Sequence, residues 1–382
     1  MIHVMHIVPE YRGNFELLNL QAALDPARFR VLVCYLCGEP DGCNRMETVA
    51  RKVTYLRHPV RALRWHNVPL LLKLKRIMEQ EGVQVVNCQL HKSTPPGLLA
   101  ARLAKTRPLV LTTLHGLGVA ESWRRKMHIY FFYRRLVRIV CVSHAVARDI
   151  RRTSWMKSPE AVMTIHNGLA YSPFLADFDA RSIKAEILPG LQDHFWFGTA
   201  GRLHDVKNQA TLIEAFARAA KEIPGAILAI AGRGKLEDQL KATARQLEVA
   251  DRTFFLGFRH DIHRVMQAFD VFLLPSLREA LPMALLEAMA AARPVIASDA
   301  GGIPEVIGDS GCAVLLSPMD HDGLAQAMTR LYGMSPADRE EMGSKGRQRV
   351  ISQFSAERMI RQYEMLFEEV YARWLAQRDG QL

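Results

Sequence analysis

The chain has 382 residues, past the size at which single hydrophobic cores divide, so two domains of ordinary size are expected. Its composition, 49% hydrophobic and 23% charged, is that of a globular protein. No apolar run approaches the roughly 18 to 20 residues that span a bilayer, and Ile2–Val8 is too short and polar for a signal-peptide core, so a cytoplasmic location is expected.

In chain order, apolar runs at Val4–Val8, Arg30–Leu36, Gln84–Cys88, Leu109–Leu114, Ile139–Ser143 and Val162–Ile165 read as strands. Helical periodicities lie between them at Phe15–Leu24, Pro69–Glu79, Pro96–Lys105 and His144–Arg151. Such alternation builds a parallel sheet with helices on both faces. The net charge of +11 belongs to this half: residues 1–170 hold 26 Lys and Arg against 11 Asp and Glu, the remainder 24 against 28. Between Arg51 and Arg76 there are eight basic residues and no acid, and Trp123–Arg138 adds six more, interleaved with aromatics. Each segment could be a solvated helix with its rings turned inward; together they favour an anionic membrane surface or acceptor. The six cysteines fit a reducing compartment. Cys34-x-x-Cys37 with Cys43 could be half a zinc site, but no second cluster follows, and no metal is expected.

Residues 171–194, with Pro173, Pro189 and Gly190, break the rhythm and read as a linker. The pattern then begins again, with strands at Phe195–Ala200, Ala226–Ala231, Thr253–Leu256, Val271–Leu274, Val295–Ser298 and Ala313–Leu316. Helices are expected near Asn208–Lys221, Lys235–Gln246, Asp261–Phe269, Pro282–Ala291 and Asp320–Tyr332. The expected organisation is therefore α/β: two doubly wound Rossmann-like domains, 1–170 and 195–356, facing across a cleft at their strand C-termini. A last amphipathic helix, 357–382, is capped by Ser355 and presents Met359, Tyr363, Leu366, Phe367 and Val370 on one face.

The chemistry concentrates in the second half. Ser276-Leu-Arg-Glu279-Ala-Leu-Pro-Met-Ala-Leu-Leu-Glu287 sets two carboxylates eight residues apart. Pro282 suits the first helical position, which leaves Glu279 in the preceding loop and Glu287 about a turn inside. Free N–H groups near Leu281 to Ala284, in the turn formed by Leu281, Pro282 and Met283, then form a helix start suited to phosphate, between acids suited to hydroxyls. Alone, the pair could equally be the acid and base of a glycoside hydrolase. Gly198-Thr-Ala-Gly201-Arg202-Leu-His-Asp205-Val-Lys207 follows a strand and adds two cations, although its glycine spacing is not that of a dinucleotide fingerprint. Gly232 and the Gly301-Gly302 pair end later strands, and a purely structural role for such turns stays open.

These motifs resemble the retaining GT-B glycosyltransferases of the bacterial group called glycosyltransferase family four (glycosyl transferases group 1). The resemblance rests on Gly201-Arg-Leu-x-x-x-Lys207, Glu279-x7-Glu287, Arg293-Pro-Val-Ile-Ala-Ser298 and Gly301-Gly-Ile-Pro-Glu-Val-Ile307. Thr113-Leu-His115-Gly116, Val142-Ser-His-Ala145 and Ile165-His-Asn167-Gly168 fit more loosely. It implies that Glu287 holds the donor ribose, Arg202 and Lys207 its diphosphate, and Glu279 its sugar. The final helix would cross back to the first domain. His115 would position donor or acceptor near the reacting centre, where the residues alone suggest an ordinary loop histidine. The Pro9–Glu16 loop shows one glycine, Gly13, where the family has a pair, and Leu281-Pro282 stands where glycine is usual, narrowing the loop beside the sugar. Asn167-Gly-Leu-Ala170 replaces the common Asn-Gly-Val-Asp.

The expected activity is retaining transfer of a hexosyl group from a nucleotide-sugar co-substrate, a UDP-sugar being favoured and a GDP-sugar the alternative, with no cofactor. The expected acceptor is a lipid-linked glycan in lipopolysaccharide core, O-antigen or exopolysaccharide synthesis, with the enzyme peripheral to the inner membrane face. Alternatives are a GT-B-like epimerase or phosphorylase and, outside enzymes, a basic nucleic-acid-binding protein.

Overall fold

The computed structural model describes residues 1–11, 13, 16–60, 67–155, 159–176 and 178–379. Residues 61–66 of the basic Arg51–Arg76 stretch, Arg12, Asn14 and Phe15 of the Gly13 loop, and 380–382 of the expected last helix lie outside the described residues. The chain forms two compact units, Met1–Gly168 with Ala356–Leu382, and Leu169–Ser355.

The first unit holds a seven-stranded sheet of β1 (Ile2–Glu10), β2 (Phe29–Cys37), β3 (Lys52–Tyr55), β4 (Val85–Gln89), β5 (Leu109–Leu114), β6 (Arg138–Cys141) and β7 (Val162–Thr164). All neighbours pair in parallel, in the order β3-β2-β1-β4-β5-β6-β7. The second unit repeats the plan with β8 (Phe195–Ala200), β9 (Ala226–Ala231), β10 (Thr253–Gly257), β11 (Val271–Leu274), β12 (Val295–Ser298) and β13 (Ala313–Leu316). Its order is β10-β9-β8-β11-β12-β13, again all parallel. Both orders reverse direction beside their first strand, and ligands of such sheets bind beyond the strand C-termini at that reversal. Central strands are covered on both faces, which is why Val4, Met5, Ile7 and the whole of β9 are buried and read as unbroken apolar runs.

The helix Ala356–Arg378 packs on the first sheet. Met359, Tyr363, Phe367 and Val370 join Val4, Val33, Val85 and Leu111 in one core. Arg28 pairs with Glu364 at 3.3 Å and with Glu368, Arg138 pairs with Glu369, and the Trp374 indole donates to the Thr106 carbonyl at 3.0 Å.

Several elements differ from the sequence reading. Residues 171–194 are not an open linker: Asp179 caps the helix Ala180–Ile187, Lys184 meets Asp270 at 2.7 Å, and Phe174 and Ile183 are buried. The edge strand β3 has no run of apolar residues to announce it, since it is partly solvated. The helix expected at Pro96 begins at Leu90 and carries Pro95 and Pro96 in its second turn. The helix Pro336–Gln353 lacks an apolar stripe because two of its buried positions are Gly343 and Gly346; a Cβ on Gly343 would lie 2.0 Å from the Ala292 carbonyl. No described helix is long and apolar enough to cross a membrane.

Candidate active site

In the second unit the loops after β8, β9 and β11 are tied together by backbone hydrogen bonds. Gly201 donates to Ala231 (2.9 Å), Leu203 to Arg233 (3.0 Å), and Leu277 to Val206 (2.9 Å). The glycines permit this closeness: a Cβ on Gly232, whose φ is +136°, would lie 1.9 Å from the Gly201 carbonyl oxygen. Gly232 is thus explained by backbone packing, and any ligand contact it makes is additional. Asn208 takes a left-handed conformation (φ 57°) at the start of the helix Gln209–Ala219, and its amide donates to the Pro275 carbonyl at 3.2 Å.

The Leu277–Val206 bond brings the two motif loops together, with a consequence that spacing alone does not reveal. Lys207 Nζ donates to Glu279 Oε1 at 2.5 Å, and the Ser276 hydroxyl donates to the same oxygen at 2.8 Å. Glu279 is 9% exposed, so its charge is compensated locally by a cation and a hydroxyl. Ser298 in turn donates to the Ser276 carbonyl, and Gly302 N–H to the Glu279 carbonyl at 2.9 Å. Arg202 stays exposed at the first turn, where its carbonyl accepts from Gln209 at 3.1 Å.

Pro282 has extended backbone (ψ 109°) and caps the helix Met283–Ala290 instead of opening it; its carbonyl accepts from Leu285 N–H at 3.1 Å. The shift is one residue, and Met283 and Ala284 keep N–H groups ahead of the first intrahelical bond. Leu281 and Pro282 are buried, which seats the loop beside Glu279 firmly. Glu287 is the fifth helical residue, set among buried Leu285, Leu286 and Ala288. Burial alone raises its carboxyl to about 7, so near neutrality it is poised between acid and carboxylate.

His115 and Gly13 belong to the first unit. Gly13, half-buried with φ +89°, needs glycine for its backbone alone, as a Cβ there meets nothing within 4 Å. His115 follows β5, and its Nε2 lies 2.7 Å from Gln89 Oε1 at the end of β4. Burial lowers its pKa to about 4, so the ring is neutral at physiological pH. Sequence reasoning missed Ser276 as a partner of Glu279, although it opens the same motif. It also missed Gln89, whose one signal was its place at a strand end.

Two family models match: Glycosyltransferase Family 4 over residues 17–171, and Glycosyl transferases group 1 over residues 187–349. Over 274 residues the chain is 28% identical to the UDP-Gal:alpha-D-GlcNAc-diphosphoundecaprenol alpha-1,3-galactosyltransferase of Escherichia coli, covering 68% of this chain and 69% of that protein. It is also 28% identical to the putative glycosyltransferase EpsD of Bacillus subtilis, covering 77% and 78%. Among solved structures, Anabaena HepE in complex with UDP and glucose superposes with a TM-score of 0.83 at 20% identity, over 97% of this chain and all of that one.

Proposed function

The chain belongs to the GT-B glycosyltransferases of the group 1 and family 4 type, and from that premise we propose that it moves a sugar from a nucleoside diphosphate donor onto a lipid-linked glycan. The donor is a UDP-sugar, the anomeric configuration is retained, and the product belongs to a bacterial surface polysaccharide. The observation that carries this reading is the pairing of Lys207 and Glu279 one helix start away from the desolvated Glu287. The E. coli relative takes UDP-Gal and a diphosphoundecaprenol-linked acceptor by name, and the HepE structure holds UDP and glucose; both support the donor class.

Each side chain has a role that its surroundings fit. Glu287 accepts from the two ribose hydroxyls, which offset the cost of ionising it in a dry setting. Arg202 and Lys207 face the diphosphate, aided by the N–H groups of Met283 and Ala284, while Gly201, whose own N–H is given to the Ala231 carbonyl, lets the backbone come close. Leu281 and Pro282 line the donor and Glu279 holds its sugar; His115, in the first unit, offers a neutral imidazole to donor or acceptor. In the ligand-free protein Lys207 is held by Glu279, so donor binding spreads one cation over a carboxylate and a phosphate. As the glycosidic bond breaks, charge grows on the departing diphosphate, and fixed cations there stabilise the transition state more than the ground state. The departing phosphate oxygen takes the proton of the acceptor hydroxyl on the same face, so no enzymic nucleophile is assigned.

The acceptor side is read from charge. The helix Trp123–Tyr133 exposes Trp123 (66%) and Phe131 (43%) beside Arg124 and Arg125. The helix Val68–Gln80 exposes Val68 and Leu72 beside Lys73 and Arg76. Both pack against the helix Leu90–Leu103. Apolar tips among cations suit the headgroup region of an anionic membrane, with the enzyme peripheral to its cytoplasmic face. Incubation with UDP-sugars and bacterial membrane fractions, followed by NMR of the new linkage, tests the reading. Transfer with retained configuration is expected; an inverted product refutes the mechanism, and no transfer from any nucleotide sugar refutes the function.

A further inference from the structure

Around His115 the first unit buries a set of polar side chains that the sugar-transfer reading leaves unused. Thr113 Oγ1 donates to Asn87 Oδ1 at 2.9 Å, which turns the Asn87 amide nitrogen toward His6 Nδ1, 3.5 Å away. That nitrogen of His6 is therefore an acceptor. Gln89 Nε2 lies 3.2 Å from the same His6 Nδ1 and 2.9 Å from Gln21 Oε1, so the Gln89 amide nitrogen faces two acceptors. Its oxygen is left facing His115 Nε2 at 2.7 Å, and only an Nε2–H ring satisfies that contact. With Thr113 as the donor, these contacts orient each amide consistently, from Asn87 through His6 to Gln89.

A second observation concerns the backbone. Leu90, directly after Gln89, has φ +67°, a left-handed conformation that leucine rarely adopts, and its side chain is exposed. Hydrophobic burial does not explain that turn. Ser93 Oγ holds it by donating to the Gln89 carbonyl at 2.5 Å, and Thr94 Oγ1 by donating to the Leu90 carbonyl at 3.1 Å. The Gln89 side chain makes no cap hydrogen bond to the helix it precedes and is turned into the cluster. Strain maintained by neighbouring hydroxyls at a strand end marks a residue held for a purpose.

We propose that Gln89 is a positioning residue: its amide oxygen fixes the ring orientation of His115 and selects the tautomer in which Nε2 donates and Nδ1 accepts. The groups hydrogen-bonded in this cluster, His6, Gln21, Asn87, Thr113 and Gln89, are all neutral, and burial lowers His6 like His115 to about 4. His115 thus works as a fixed dipole and not as a proton carrier. The proposal rests on the sugar-transfer reading only for the effect on turnover; the tautomer is a property of the ligand-free protein.

Nitrogen-detected NMR of 15N-histidine-labelled protein, assigned with a His115→Asn control, reads the tautomer directly. In wild type a protonated, pyrrole-type Nε2 and a pyridine-type Nδ1 are expected for His115. Gln89→Leu removes the acceptor and is expected to give mixed tautomers, with kcat lowered about tenfold to a hundredfold and donor KM little changed. Gln89→Glu keeps shape and the acceptor toward His115 but removes the amide donor facing His6 and Gln21: relative to Gln89→Leu it is expected to restore the Nε2–H tautomer and to bring His115 titration up toward neutrality, giving the activity profile a new ionisation. An unaltered His115 tautomer in Gln89→Leu overturns the proposal, whether or not that variant loses activity, and so does the Nδ1–H form in wild type. If His115→Asn leaves turnover unchanged, the catalytic reading of His115 fails, while the tautomer measurements still decide what Gln89 does.

Discussion

Replacing Glu287 by glutamine should stabilise the protein and weaken its function, with the balance set by pH. Burial takes the Glu287 carboxyl from an ordinary 4.5 to about 7. Its native form therefore holds a proton more firmly than the unfolded chain does. The associated stability is fully present below pH 4.5 and is lost as pH rises through about 7. At about 1.4 kcal/mol per pH unit, the ionised native protein is about 3 kcal/mol less stable than if the group were unperturbed. A glutamine there carries no charge to bury, so the variant and wild type should match below about pH 4.5, diverge steadily between about 4.5 and 7, and differ by a constant amount above that. By about pH 8 the variant should lead by up to ~3 kcal/mol, which for a unit of this size is roughly 6 to 12 °C in Tm. Calorimetric scans at half-unit pH steps would show the divergence. A difference that is flat with pH, or a variant less stable than wild type in mild alkali, would refute the reasoning. The ligand arm is independent: ribose hydroxyls favour the carboxylate, so UDP binding at slightly acid pH should release protons in wild type, and none from this site in Glu287→Gln. Isothermal titration in buffers of different ionisation enthalpy measures that release.

Lys207→Ala should lower kcat/KM by a factor of roughly 10² to 10³, the usual loss for one transition-state donor, and should lower Tm because Glu279 loses its cation; unchanged turnover would remove Lys207 from that role. Gly232→Ala should destabilise the protein by about 1 to 3 kcal/mol in denaturant melts, since the new methyl overlaps the Gly201 carbonyl at 1.9 Å; wild-type stability would mean that the turns separate easily. Reversing Arg124 and Arg125 to Glu should weaken sedimentation with anionic vesicles by at least about thirtyfold, at roughly 1 kcal/mol per lost cation. Neutral vesicles should bind neither protein, and equal binding of both to anionic vesicles would dismiss the surface. Phe367→Ala should cost about 3 to 5 kcal/mol in the first unit while leaving the UDP-induced thermal shift intact.

The second sheet was the most legible part of the chain. Phe195–Ala200, Ala226–Ala231, Val271–Leu274, Val295–Ser298 and Ala313–Leu316 begin and end where their residues say, because most are buried on both faces and several are bounded by glycine turns. What failed to announce itself lacked that apolar contrast. Lys52–Tyr55 is an edge strand, and Pro336–Gln353 meets its neighbours through glycines. At the site, the residue types and their order were readable, and the bonds among them were not. Lys207 and Glu279 looked like groups for different parts of a ligand, whereas a backbone bond between residues far apart in sequence, Leu277 to Val206, sets them against each other. Burial of Glu287 and the relay from Thr113 to His115 likewise depend on neighbours distant in the chain.

The seating of Ala356–Arg378 on the first sheet fixes an order of assembly during synthesis. The stretch Leu169–Ser355 is contiguous and can close its core as soon as Ser355 clears the ribosome. The first unit begins to emerge earlier yet finishes later, because Tyr363 and Phe367 fill its centre and follow the whole of the second unit in the chain. For the time taken to translate roughly 190 residues, at about 5 to 20 per second, its sheet waits with an apolar face uncovered. That nascent face, more than any surface of the finished enzyme, is where chaperone dependence and aggregation on overexpression should originate.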